Sequence, residues 1–331
     1  MKIELRVGTT LLAAALLASV LRANDAPPAT DSALASLERR APAESQLPNL
    51  NPGFWSDLSR LIDSDTLSTG DQFYRAAALA KWPAFQFRKT RVRYELLLAA
   101  TARGHAAAQG ELTDAWDGLL VSIGRPQRAG TISFGPGSEL PAPDMAPECV
   151  AAVYKDPAQA AKKAAAANNN AEVKAIRDAD QKVRQDWSKL STADMQRVGE
   201  EDRARAVRIR AIIGAGGLRT ASDFANASLV LQHSEAFAGY ELAHELAVCS
   251  LVLGDRGMGR WLVAATYDRM LGSVGLDQRF GTQGEITFSS SAKPTVAETD
   301  ERDICDNERL ALGCPTLAAK RANFYTHGPR D

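Results

Sequence analysis

Apolar residues recur at steps of three and four along most of this chain, the spacing that collects them on one face of an α-helix. Phe54 to Ile62, Thr69 to Ala80 and Arg91 to Ala102 carry the pattern early, the last with Leu96, Leu97 and Ala100 on one face. Val173, Ile176, Val183, Trp187 and Leu190 predict one long helix with a single apolar stripe. Asp194 to Ile213 predicts the next, closed by Gly214, Gly216 and Gly217, residues suited to a helix C-terminus. Thr220 or Ser222 can cap a helix that runs through Phe224, Ala227 and Leu231 to Gln232-His233. Leu242, Leu246, Cys249 or Ser250, and Leu253 mark another face, Trp261 to Val274 another, and Asn307 to Gly313 a last short helix. Alternation over Glu285 to Phe288 predicts the one departure, a short strand or hairpin after Gln283. The fold expected is all-α or nearly so, an antiparallel helical bundle or helical repeat.

Between these elements the composition changes. Val7 to Leu21 is an apolar run behind Lys2 and Arg6, with Ala23 as a cleavage residue, which predicts a secretory signal over residues 1–23. Residues 24–50 are rich in Ala, Pro, Ser and Asp and read as a flexible tether. Residues 51–132 form an N-terminal helical copy. Residues 133–170 hold a Pro/Gly-rich linker and an alanine run, and 171–331 a C-terminal helical domain. At 331 residues and 45% hydrophobic content the chain can bury a sizeable core. Its 39 basic and 40 acidic residues leave a net charge of -1, which argues against nucleic acid or an anionic membrane as partner. Localisation is expected to be periplasmic or secreted, with no integral span after signal removal. In that oxidising space Cys305 and Cys314, close in sequence, are the expected disulfide.

A second periodicity is longer. Asp117 to Thr131 and Asp268 to Thr282 share eight identities in fifteen positions at a constant offset of 151. Leu67 to Phe73 aligns with Leu218 to Phe224 at the same offset, and Tyr94-Glu-Leu resembles Tyr240-Glu-Leu. The chain therefore reads as an internal duplication in which the first copy is degenerate. Only the second copy carries Gln232-His233, Arg269 and Gln283; the matching zone of the first holds Leu79, Ala80 and Lys81, then Gly118 and Ile132.

Five pieces of the second copy resemble a bacterial family of uncharacterised proteins, a domain of unknown function. They are Asp180-Gln181-Lys-Val-Arg184, Gln232-His233, Ala264-Ala265-Thr-Tyr-Asp268-Arg269, Gly275-Leu-Asp-Gln278-Arg-Phe-Gly281-Thr282-Gln283 and Arg309-Leu-Ala-Leu-Gly313. They match the family's DQxxR, QH, A-x-x-x-DR, G-x-x-Q-x-x-GTQ and R-x-x-x-G-L segments over about residues 178–320. The chain departs from the pattern at Gly216-Gly217-Leu218, where the family carries Gly-Trp-Pro, and at Cys314, where it carries Leu. The resemblance implies no activity; it supports the domain and the choice of polar residues.

The candidate binding residues are Arg184, Gln232, His233, Asp268, Arg269, Gln278, Thr282 and Gln283. His233 is the candidate base and Asp268 its candidate carboxylate. Asp268 and Arg269 are adjacent on a helix, so their side chains diverge and each needs another partner; Arg184 or Arg309 are candidates for Asp268. His244-Glu245 resembles the start of a zinc-protease helix, but Val248 stands where the second His belongs, so no metal is expected. Gly254 to Gly259 joins two helices, not a strand to a helix, which removes the nucleotide-loop reading, and no cofactor is expected. Three functions remain open here: a binding or interaction module for a small ligand or envelope protein, an envelope-acting hydrolase using His233 and Asp268, and a ligand-free helical scaffold. An enzyme is the less favoured class.

Overall fold

The computed structural model describes residues 28–41, 52–81, 86–133, 141–185, 190–234, 236–285 and 295–326. Among them are fourteen helices and one two-stranded ladder. The first half contains α1 (Pro28–Arg40), α2 (Pro52–Asp63), α3 (Gly70–Leu79), α4 (Phe87–Ala102), α5 (Ala106–Ser122), α6 (Glu148–Lys155) and α7 (Pro157–Ala165). The second contains α8 (Ala171–Arg184), α9 (Thr192–Gly214), α10 (Ala221–Leu231), α11 (Phe237–Val252), α12 (Met258–Ser273), β1 (Gly284–Glu285), β2 (Thr295–Val296), α13 (Asp306–Ala311) and α14 (Leu317–Ala322). The fold is all-α. The ladder pairs Gly284 with Val296 and Glu285 with Thr295, antiparallel, where a short hairpin was expected; residues 286–288 lie outside the described residues. No helix among the described residues is long and apolar enough to cross a membrane.

Local chemistry sets the helix ends. Thr69 with Gln72, Ser191 with Asp194 and Thr220 with Asp223 form reciprocal capping boxes. At the other end, α5 and α12 stop the same way. The Arg125 amide reaches the Leu120 carbonyl at 2.8 Å and the Leu276 amide reaches Leu271 at 3.0 Å, with Gly124 and Gly275 at φ 72° and 75° between them. Only glycine takes that backbone without strain, so both helices end in a Schellman turn.

Two helices form the centre. Every residue from Thr90 to Ala102 in α4 and from Glu241 to Val252 in α11 is buried, although the sequence predicts one apolar face for each. A helix buried on all sides must satisfy its polar groups internally. α3 and α5 pack on α4, and α10 and α12 on α11. The remaining coverage is exchanged: α13 packs on α4, and α6 on α11.

The central polar groups are paired across the halves in a reciprocal way. Arg279 donates to both carboxylate oxygens of Glu95 on α4, with Nη2 at 2.8 Å. Arg128 donates to both oxygens of Glu245 on α11, at 2.8 and 3.2 Å. Tyr267 Oη donates to Glu95 and Trp116 Nε1 to Glu245. Arg279 also reaches the carbonyl of Asp300, as Arg128 reaches that of Asp144. Between them the Tyr94 hydroxyl meets His244 Nε2 at 2.8 Å. Tyr94-Glu95-Leu96 thus corresponds in contact to His244-Glu245-Leu246, four residues beyond the Tyr240-Glu-Leu match expected from the sequence.

Several sequence expectations are corrected. Residues 28–40, read as tether, are helical because Leu34 and Leu37 fall on one face and are buried, while Arg75 bridges Asp31 and Glu38 from α3. The signal segment, residues 1–23, lies outside the described residues. The linker expected from 133 onward is held at its far end by Gln127 and Arg128, whose carbonyls accept from the Asp144 and Ala146 amides, and continues into α6 and α7. The helix expected to reach Leu190 ends at Arg184, and Trp187 lies outside the described residues. Cys305 and Cys314 are free, buried thiols. α13 stands between them in the chain, with Cys305 capping its start and Cys314 following its closing turn.

Candidate functional site

Asp268 shows why site and scaffold must be separated. It is buried on α12, and it receives the backbone amides of Arg279 at 2.7 Å, Phe280 at 3.0 Å and Thr282 at 3.0 Å, plus the Thr282 hydroxyl at 2.7 Å. Neither Arg184 nor Arg309 is its partner; burial raises its pKa while these donors oppose the rise. Gln278 closes the same turn, donating to the Gln283 carbonyl at 3.0 Å and accepting from its amide at 2.8 Å. Arg309 lies beneath, donating to the Arg279 carbonyl at 3.1 Å.

The first half makes the same bonds. Asp117 receives the amides of Arg128, Ala129 and Thr131 and the Thr131 hydroxyl, and Gln127 closes on Ile132 through both ends of its side-chain amide. Gly130 and Gly281 take φ 71° and 72°. The first half is therefore not degenerate in this turn. Asp268, Gln278 and Thr282 repeat a structural device, and what differs between the halves is Arg269 against Gly118 and Gln283 against Ile132.

The other candidates converge elsewhere. Asp180 and Arg184 lie one turn apart on α8, 2.9 Å from Oδ1 to Nη1. α9 brings Asp202 and Arg205 against them: Arg184 donates to Asp202 at 2.7 Å, Arg205 donates to Asp202 at 2.7 Å, and Arg205 Nε stands 3.6 Å from Asp180. Gln232 and His233, directly after α10, complete the cluster, with His233 Nε2 3.7 Å from Asp180 Oδ2. The DQxxR and QH segments meet here, and the positive charge of Arg269 on α12 acts on both. Where α8 buries Asp180, α1 buries only Thr30, Leu34 and Leu37.

The electrostatics are unusual. Burial pushes Asp180 up to about 6 against the pull of Arg184. Burial, then the positive charges of Arg184 and Arg269, push His233 down to about 3, so its imidazole is neutral. Burial raises Asp202, but the hydrogen bonds from Arg184 and Arg205 win and hold it below the ordinary carboxylate range. Five buried side-chain atoms of this set lack a hydrogen-bond partner: Asp180 Oδ1, Arg205 Nε, Gln232 Oε1, His233 Nε2 and Arg269 Nε. The carboxylate facing His233 is Asp180, while Asp268 spends its oxygens on the turn. His244 has a different role, bonded through Nδ1 to the Val263 carbonyl and the Thr266 hydroxyl, both at 3.1 Å, inside the core.

Arg269 also lines a groove of about 590 Å³ between the start of α11 and the turn after α12, with Phe237, Tyr240, Gly272 and Gln283. Gln283 donates to the Ala265 carbonyl and the Thr282 hydroxyl, which holds it at the wall. Sequence reasoning missed Asp202, Arg205 and the role of Asp180. Glu200-Glu201-Asp202-Arg203-Ala-Arg205 reads as a solvated charged face, and only the packing of α9 on α8 partly covers Asp202 and Arg205. Compared with protein-family models, curated proteins and solved structures, the chain matches none.

Proposed function

We propose that this chain is an exported helical binding module, built as two copies of one seven-helix unit, whose second copy alone carries a polar ligand site. The observation that carries the reading is the set of buried atoms without a hydrogen bond on Asp180, Arg205, Gln232, His233 and Arg269, of which Arg269 also lines a groove. A buried polar atom left without a hydrogen bond costs about 1–3 kcal/mol, and a ligand that completed Gln232 and Arg269 would recover part of that cost. The matched turns support the duplication and act as an internal control: residues the fold needs recur in both halves, and the site residues do not. The apolar run from Val7 to Leu21 supports export.

The test is a thermal-shift and calorimetric screen of small polar metabolites and envelope extracts against the mature chain, repeated with His233→Ala and Arg269→Ala. A ligand that stabilises the parent and not the variants, with the variants folded, supports the reading. Variants that bind and melt as the parent does would leave the ligand-free scaffold.

One observation favours a second reading, an envelope-acting hydrolase. A neutral imidazole facing a carboxyl that titrates near 6 is an arrangement suited to general acid–base transfer, with Asp180 in the place first given to Asp268. It predicts turnover with a pH profile that Asp180→Asn abolishes.

A further inference from the structure

Resting on the binding reading above, we infer that the groove beside Arg269 takes a small zwitterion of the amino-acid or short-peptide class, its carboxylate on Arg269 and its ammonium toward an acidic rim. At about 590 Å³ the groove is in the size range of small-molecule sites and exceeds what a single ion needs.

The charges are laid out in two zones. At the inner end Arg269 is largely desolvated, bonds to Tyr240, and faces no carboxylate among the described residues; Arg184 adds further positive charge behind it. A guanidinium so placed favours an anion with two planar oxygens, which it can hold bidentately. At the outer edge stand Asp277 and Glu298, both exposed and neither in an ion pair among the described residues. A phosphate would gain from Arg269 and lose to those acids, whereas a carboxylate with an ammonium a few bonds away satisfies both zones. Tyr240 and Phe237 supply an apolar wall along which the intervening carbons lie. The turn requires none of this charge, since the positions matching Arg269 and Asp277 at the offset of 151 are Gly118 and Pro126.

Calorimetry on the full mature chain with L-alanyl-L-alanine, its C-terminal amide, its N-acetyl derivative and inorganic phosphate tests this. The dipeptide is expected to bind. Amidation and Arg269→Gln are each expected to weaken binding by about 30-fold. Acetylation, or the exposed pair Asp277→Asn with Glu298→Gln, is expected to weaken it several-fold and keeps the test available if Arg269→Gln fails to fold. Phosphate or the N-acetyl peptide binding as well as the free dipeptide overturns the zwitterion and leaves the site. Silence of every probe overturns the ligand class, and the separate screen with His233→Ala then decides whether the site itself stands.

Discussion

Asp268 and Arg269 are neighbours in sequence and opposites in consequence. Asp268 gives four donors their acceptor, so Asp268→Ala leaves three amides and a hydroxyl unpaired. It is expected to cost about 3 kcal/mol or more, measured by denaturant unfolding, and Asp117→Ala to cost a similar amount. Arg269→Gln, which faces the groove, is expected to cost less stability than Asp268→Ala in the same unfolding measurement while weakening ligand binding by about 30-fold. The histidine beside it gives a pH signature. His233 is held near 3 in the fold against an ordinary 6.5. It therefore takes up a proton on unfolding throughout that window, and its contribution is complete above pH 6.5 and lost as the pH falls toward 3. Unfolding at pH 6.5 and pH 5 should show His233→Gln losing about 2 kcal/mol less than the parent over that interval. Asp180, raised to about 6, works with the opposite sign: its contribution is present below the ordinary carboxylate value and fades as the pH rises through 6.

At the scale of elements, helix ends were the most legible feature. Thr220, the Gly216–Gly217 stop and Gly275 mark boundaries in the sequence because capping and positive φ are local demands. Gly275→Ala is expected to cost about 1–2 kcal/mol by thermal unfolding, all of it conformational, since an added Cβ there meets nothing within 4 Å. Burial was less legible. Periodicity assigns α4 and α11 one apolar face, yet both are enclosed, and their polar residues Glu95, Glu245 and His244 are core groups whose partners come from the other half. Charge on α9 misled in the other direction, since Asp202 and Arg205 resemble solvated residues until α8 lies against them.

At the scale of the molecule, the halves complete one another. The buried carboxylate for Arg128 is on α11 and that for Arg279 is on α4, so separating the halves breaks both buried ion pairs. Residues 28–165 and 171–326 expressed separately are expected to lack cooperative unfolding by circular dichroism, and to regain it on mixing if the contacts re-form. Arg279→Met in the whole chain is expected to cost about 3–5 kcal/mol, because it strands Glu95 in the core.

What the sequence by itself determined was the helical class, most helix limits, and the correspondence of Asp117–Thr131 with Asp268–Thr282. These depend on interactions within a turn or two, or on residues whose identity recurs. The contrast between the halves at His233, Arg269 and Gln283 was legible because one stretch could be compared with the other. What only the tertiary structure decided was the partner of each buried charge: Asp180, not Asp268, faces His233, and Arg279 crosses to Glu95 from 184 residues away. A buried charge takes whichever donor the packing of distant helices brings within about 3 Å, and no spacing along the chain encodes that distance.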